Sequence, residues 1–109
     1  MFNIFNIMDL DQFTWKKQLF SDDGAVVLDV RTPEEFETSR IANSINIDFY
    51  NPQNFISELE KFDKDTSYYI YCRTGVRSSN SCVLMNEMGF RKTYNLLGGI
   101  VEWDGELIK

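Results

Sequence analysis

Two strand-length segments constrain this chain more than anything else in it. "AVVLDV" (residues 25–30) is almost continuously aliphatic and β-branched, and "TSYYIYC" (residues 66–72) is an apolar and aromatic run that ends on a cysteine. A strand with one wet face alternates apolar and polar residues. A run without alternation is buried on both faces, the habit of strands in parallel sheets. Parallel strands need long crossovers between them, normally helices.

The rest of the chain supplies those crossovers. Further strands are predicted at residues 3–8, 44–48 and 92–96. Asp9 can cap a first helix, with Gln12 three residues on and Leu10, Phe13, Lys17 and Phe20 forming its inner face. Thr32 followed by Pro33 and Glu35 reads as a capping box with proline at the first helical position. Pro52 opens a helix in which Phe55, Ile56, Leu59 and Phe62 recur at helical spacing. A helix spans residues 77–88, with Gly89 as its terminating glycine and Phe90 as the apolar contact beyond. Residues 98–107 read as a terminal turn or helix. The predicted fold is α/β: one domain over residues 1–109, with a central, mostly parallel sheet of about five strands and helices on both faces.

Composition narrows the function. Hydrophobic residues make up 43% of 109 residues, enough for a real core, and the net charge is −6. An acidic chain is a poor partner for nucleic acid or anionic membrane, and neither is expected here. No apolar stretch is long enough to suggest a membrane helix. The N-terminal residues lack the basic start and small-residue cleavage site of a signal peptide, so a cytoplasmic location is expected. There is no histidine, and Cys72 and Cys82 are the only cysteines. That excludes a Cys-His nucleophile pair and a His-containing metal site, and no metal or cofactor is expected.

Cys72 stands where ligands gather in open parallel sheets, at the carboxyl end of a strand. Arg73, Thr74, Gly75, Val76, Arg77 and Ser78 follow it. Gly75 permits a tight turn. Such a turn feeding a helix aims successive backbone N–H groups inward and makes an anion cradle. Amides and arginines together stabilise a negative sulfur. Cys82, mid-helix with Met85 three residues later, reads instead as a buried structural thiol. Tyr68, Tyr69, Tyr71 and Trp103 are expected in the core, and Gly98-Gly99 is expected to serve a backbone constraint rather than a phosphate loop.

Three ordered segments resemble the rhodanese homology domain in its single-domain form. "VVLDVRTPEEFETSRIANSINI" (residues 26–47) carries Asp29, Arg31, Glu35, Phe36, Ile41 and Asn46 in register. "YYIYCRTGVRSS" (residues 68–79) looks like the active-site loop, and "MGFRKTYNLLGGIVEW" (residues 88–103) like the closing segment. The resemblance implies a sulfurtransferase. Cys72 would take a sulfane sulfur from a small anionic donor such as thiosulfate and pass it to a thiol or to cyanide, by a ping-pong mechanism. The amides of Arg73 to Ser78 would hold the persulfide's charge. Arg77 would organise the loop, Arg73 would contact the donor's anionic end, and Asp29 and Arg31 would brace the site. The chain departs from the family in having Ser39-Arg40 where a Gly-His pair is usual, and Asn43-Ser44 where Gly-Ala is usual.

Two rival readings accompany this one. The domain could relay sulfur between protein partners with little thiosulfate turnover, its acidic surface selecting a basic partner. Or it could resemble the cysteine phosphatases and arsenate reductases that use a related cysteine-to-arginine cradle. Their loop is one residue longer than the four residues between Cys72 and Arg77, which leaves too small a ring here for a tetrahedral oxyanion.

Overall fold

The computed structural model describes residues 7–109. The elements run β1 (Ile7–Leu10), α1 (Gln12–Phe20), β2 (Val26–Asp29), α2 (Pro33–Thr38), β3 (Ser44–Asn46), α3 (Pro52–Leu59), β4 (Ser67–Tyr71), α4 (Val76–Glu87), β5 (Lys92–Leu96) and a 3-10 turn (Ile100–Glu102). The five strands form one sheet in the order β1-β5-β4-β2-β3, and every pairing is parallel. This is the α/β architecture that the unalternating runs predict.

Side-chain alternation along the central strands builds two cores. Val27, Tyr69, Tyr71 and Leu96 face one way, against Trp15 and Ile41. Leu28, Tyr68, Ile70 and Cys72 face the other, against Phe55 and Leu59 of α3 and Cys82 and Met85 of α4. Every residue of β4 is buried, so its aromatic content is explained by packing. Each such fully buried side chain contributes roughly 1.5–3 kcal/mol.

The order of the strands also fixes where a site can lie. From β2 the chain steps outward to β3; from β4 it steps the opposite way, to β5. The direction therefore reverses between the neighbours β2 and β4, and a crevice opens at their carboxyl ends. Asp29, Arg31 and Cys72 stand there.

Local signals account for most element ends. The Thr32 hydroxyl accepts from the Glu35 amide while the Glu35 carboxylate accepts from the Thr32 amide, so the capping box is formed. Helix α4 ends with the Phe90 amide on the Met85 carbonyl (2.9 Å) and the Gly89 amide on the Asn86 carbonyl (3.1 Å), with Gly89 at φ 104°. That is the Schellman arrangement.

The N-terminal region departs from the sequence reading. The strand begins at Ile7 and continues to Leu10, and residues 3–6 of the predicted strand lie outside the described residues. Its pairing with β5, from Ile7 opposite Thr93 to Leu10 opposite Leu96, draws Asp9 into the sheet. The cap passes to Asp11, whose side chain accepts from the Thr14 amide. Helix α1 consequently buries Trp15, with Leu19 packed beside it, and leaves Phe13 and Phe20 exposed. At the other departure from expectation, Asn43 adopts φ 67°. Asparagine is the residue other than glycine best suited to the left-handed region, which explains how it can stand where the resembled sequences usually have glycine.

Candidate active site

The loop after β4 closes around one sulfur. Cys72 Sγ accepts from the amide of Gly75 at 3.1 Å and the amide of Ser78 at 3.3 Å, and the Ser78 hydroxyl lies 3.2 Å away. Gly75 makes this possible: at φ 104° it turns the chain into α4 and serves as the helix's N-cap. The first amides of a helix have no partner within it, so those of Val76 and Arg77 join a positive helix end beside the sulfur. Cys72 itself is only 1% exposed. Asn95 donates to the Gly75 carbonyl and to the Asp9 carboxylate, tying the turn to β5 and β1.

Arg77 sits in the first turn of α4, and its guanidinium is turned to Glu35 of α2. The two contacts measure 2.8 and 3.1 Å, and the Tyr50 ring stacks on its other side at 5.0 Å. Arg77 thus fixes the loop's position against α2. Sequence reading placed Glu35 in the capping box and in the first signature segment, without this pairing to Arg77. One carboxylate serves both the Thr32 cap and the Arg77 pair. The Arg77 hydrogen bonds are the largest cause holding its pKa down, from 4.5 to about 2, with the Thr32 amide adding to them against the effect of burial. A carboxylate with a lowered folded pKa stabilises the fold fully above its ordinary value and loses that contribution as pH falls. Glu35→Gln is therefore expected to be less stable than the parent at neutral pH by about 1–2 kcal/mol. The gap should close as pH falls from 4.5 towards 2. Urea denaturation across that window measures it, and a gap independent of pH would rule out the ion pair as its source.

Asp29 and Arg31 form a second brace at the end of β2. Arg31 Nη2 lies 2.7 Å from Asp29 Oδ2, and both side chains are buried. The same nitrogen donates to the Ser39 carbonyl at 2.7 Å, and the Asn46 amide spans the carbonyls of Asp29 and Arg31. The Tyr71 ring lies against the guanidinium. Burial, and then Asp29, raise the Tyr71 phenol above its ordinary range, so it stays neutral and binds the Ile41 amide. This network sets the end of α2 against the crevice floor.

The paired glycines after β5 have a specific task. The amides of Ile100 and Val101 donate to the carbonyls of Cys72 and Arg73, at 2.9 and 3.1 Å. To bring the backbone this close, Gly99 passes the loop at a distance no side chain allows: a Cβ there would lie 2.3 Å from the Arg73 carbonyl oxygen. Cys82, by contrast, is buried in α4 with its thiol pushed up to about 12, chiefly by burial. It is inert at neutral pH.

A cavity of about 340 Å³ opens beside the loop. Arg73, Ser39, Thr38 and the exposed apolar side chains of Val101 and Leu107 line it. Among the described residues no carboxylate pairs with Arg73. A second cavity, about 590 Å³, lies at the opposite end of the sheet, between α1 and the starts of β2 and β3. It holds neither cysteine nor arginine, so size alone does not mark the chemistry.

Known proteins resemble this chain in sequence and in fold. Residues 12–106 match the family described as "Rhodanese-like domain". The putative sulfurtransferase YtwF of Bacillus subtilis is 33% identical over 100 residues, which is 92% of this chain and 93% of that protein. The thiosulfate sulfurtransferase GlpE of Coxiella burnetii is 32% identical over 78 residues, 72% of this chain and 70% of that one. A crystal structure of a rhodanese-like domain protein from Staphylococcus aureus superposes with a TM-score of 0.78 at 28% identity, covering 91% of this chain and 93% of its own.

Proposed function

The chain belongs to the Rhodanese-like domain family, and from that premise we propose that it is a thiosulfate-type sulfurtransferase working through a persulfide on Cys72. The observation that carries this reading is the convergence of the Gly75 and Ser78 amides and the Ser78 hydroxyl on one sulfur. Donors fixed in place by a strand end and a helix start hold negative charge on that sulfur without reorganising.

In the first half-reaction the Cys72 thiolate attacks the outer sulfur of thiosulfate. A new S–S bond forms, the old one breaks, and sulfite leaves with its electron pair. The persulfide's terminal charge then rests among the amides of the loop and the first turn of α4. In the second half, cyanide or a thiolate attacks the terminal sulfur. Thiocyanate or a new persulfide departs, and Cys72 returns as the thiolate. Arg73, unpaired among the described residues and at the cavity's edge, meets the donor's anionic end. Arg77 and Arg31 act through position, since Glu35 and Asp29 neutralise them.

Steady-state thiocyanate formation from thiosulfate and cyanide tests the proposal. Parallel double-reciprocal lines are expected, because the two substrates meet the enzyme in turn. Absence of thiocyanate with the thiol reduced would defeat the thiosulfate assignment.

A further inference from the structure

Asn95 lies on β5, only 1% exposed, in register with Asp9 of β1 and Ile70 of β4. Its amide nitrogen donates to the Asp9 carboxylate at 2.9 Å and to the Gly75 carbonyl at 3.4 Å. Its Oδ1 is buried with no hydrogen-bond partner among the described residues. Turning the amide over gives no relief, because the oxygen would then face two acceptors. A buried acceptor left unpaired opposes folding. An asparagine here is therefore a poorer core residue than an apolar one of the same size.

Neither partner needs Asn95 for its own satisfaction. The Gly75 carbonyl also accepts from the Ser79 amide at 3.1 Å, and Asp9 is exposed to water. What Asn95 adds is direction. Gly75, whose backbone is freer than that of any other residue type, stands at φ 104° between two peptide groups. The amide of one points at Cys72 Sγ, 3.1 Å away, and the carbonyl of the other is gripped by Asn95. From the neighbouring strand, Asp9 holds the Asn95 amide the right way round.

We propose that Asn95 is a positioning residue for Cys72, with Asp9 behind it: the pair sets the rotation of the Gly75 turn and so keeps its amide on the sulfur. A local rule broken beside a reacting centre is the expected mark of such a role. Its value to sulfur transfer rests on the reading above, whereas alkylation of Cys72 tests it with no sulfur donor present.

The test uses Asn95→Leu, close to the parent in volume, together with Asp9→Ala and Asp9→Asn. Asn95→Leu should melt at or above the parental temperature, since the unpaired oxygen is gone. Its Cys72 should nevertheless react with iodoacetamide at neutral pH about threefold to tenfold more slowly, the effect of weakening one hydrogen bond to the thiolate. Peptide mapping assigns the label to Cys72, and the gap should close at high pH, where the thiol is ionised in both proteins. Sulfur loading from thiosulfate should fall in kcat by the same factor, with KM within about twofold. Asp9→Ala should shift both rates in the same direction by less, and Asp9→Asn, which keeps an oxygen for the Asn95 amide, should recover most of the loss. Parental alkylation in Asn95→Leu would overturn the proposal. So would slower alkylation that persists at high pH or comes with a lower melting temperature, which would make Asn95 a structural residue. The expected alkylation pattern in a parent protein that takes no sulfur from thiosulfate would support the positioning role and remove the thiosulfate assignment alone.

Discussion

Cys72→Ser will carry no sulfur after exposure to thiosulfate, while Cys82→Ser will load as the parent does. The two cysteines share a core and are equally hidden, so burial does not separate them. Their surroundings do. Cys72 accepts two backbone amides at the positive end of a helix, whereas burial pushes the Cys82 thiol up to about 12. A serine hydroxyl at position 72 can accept the same amides, so the fold should persist and the loss should lie in the chemistry alone. Circular dichroism and intact mass on both variants check this. Equal loss of loading in the two would remove the distinction between a nucleophile and a structural thiol.

Gly99→Ala will destabilise the protein by about 2–4 kcal/mol and slow sulfur loading at least tenfold. Gly99 lies at φ 62° and ψ −166°, a region essentially reserved for glycine. An added Cβ would also meet the Arg73 carbonyl carbon at 2.5 Å and the Thr74 amide nitrogen at 2.7 Å. Both are backbone atoms of the cysteine loop, so relief of the clash must move the loop and the amides that hold the sulfur. Gly24→Ala is the matched control. It too has positive φ, but nothing lies within 4 Å of its Cβ position. It should cost about 1 kcal/mol through backbone strain alone and leave loading intact. Thermal melts and loading rates for the pair measure the difference. A Gly99→Ala protein with parental loading would mean the loop does not depend on that close approach.

What could be read from the sequence follows from how local each interaction is. The sulfur cradle was legible because its parts lie within the few residues from Cys72 to Ser78: a strand end, a glycine turn and a helix start. The α2 capping box and the end of α4 were legible for the same reason. The Arg77–Glu35 pair was not, since its partners are 42 residues apart and the carboxylate already had a local task. The start of α1 was misplaced because pairing with β5, a contact across the whole chain, decides where β1 stops. Its buried face was misread with it: Trp15 and Leu19 turn inward, and Phe13 does not. The glycine pair was recognised as a backbone constraint, yet only the folded chain reveals that the constraint is contact with the Arg73 and Thr74 backbone.

The most direct measurement is intact mass spectrometry of the reduced protein after thiosulfate, and again after cyanide. The expected result is a gain of one sulfur atom, mapped to Cys72 and removed by cyanide with release of thiocyanate. A protein that stays at its original mass, with Cys72 shown to be reduced and open to a small alkylating reagent, would contradict it.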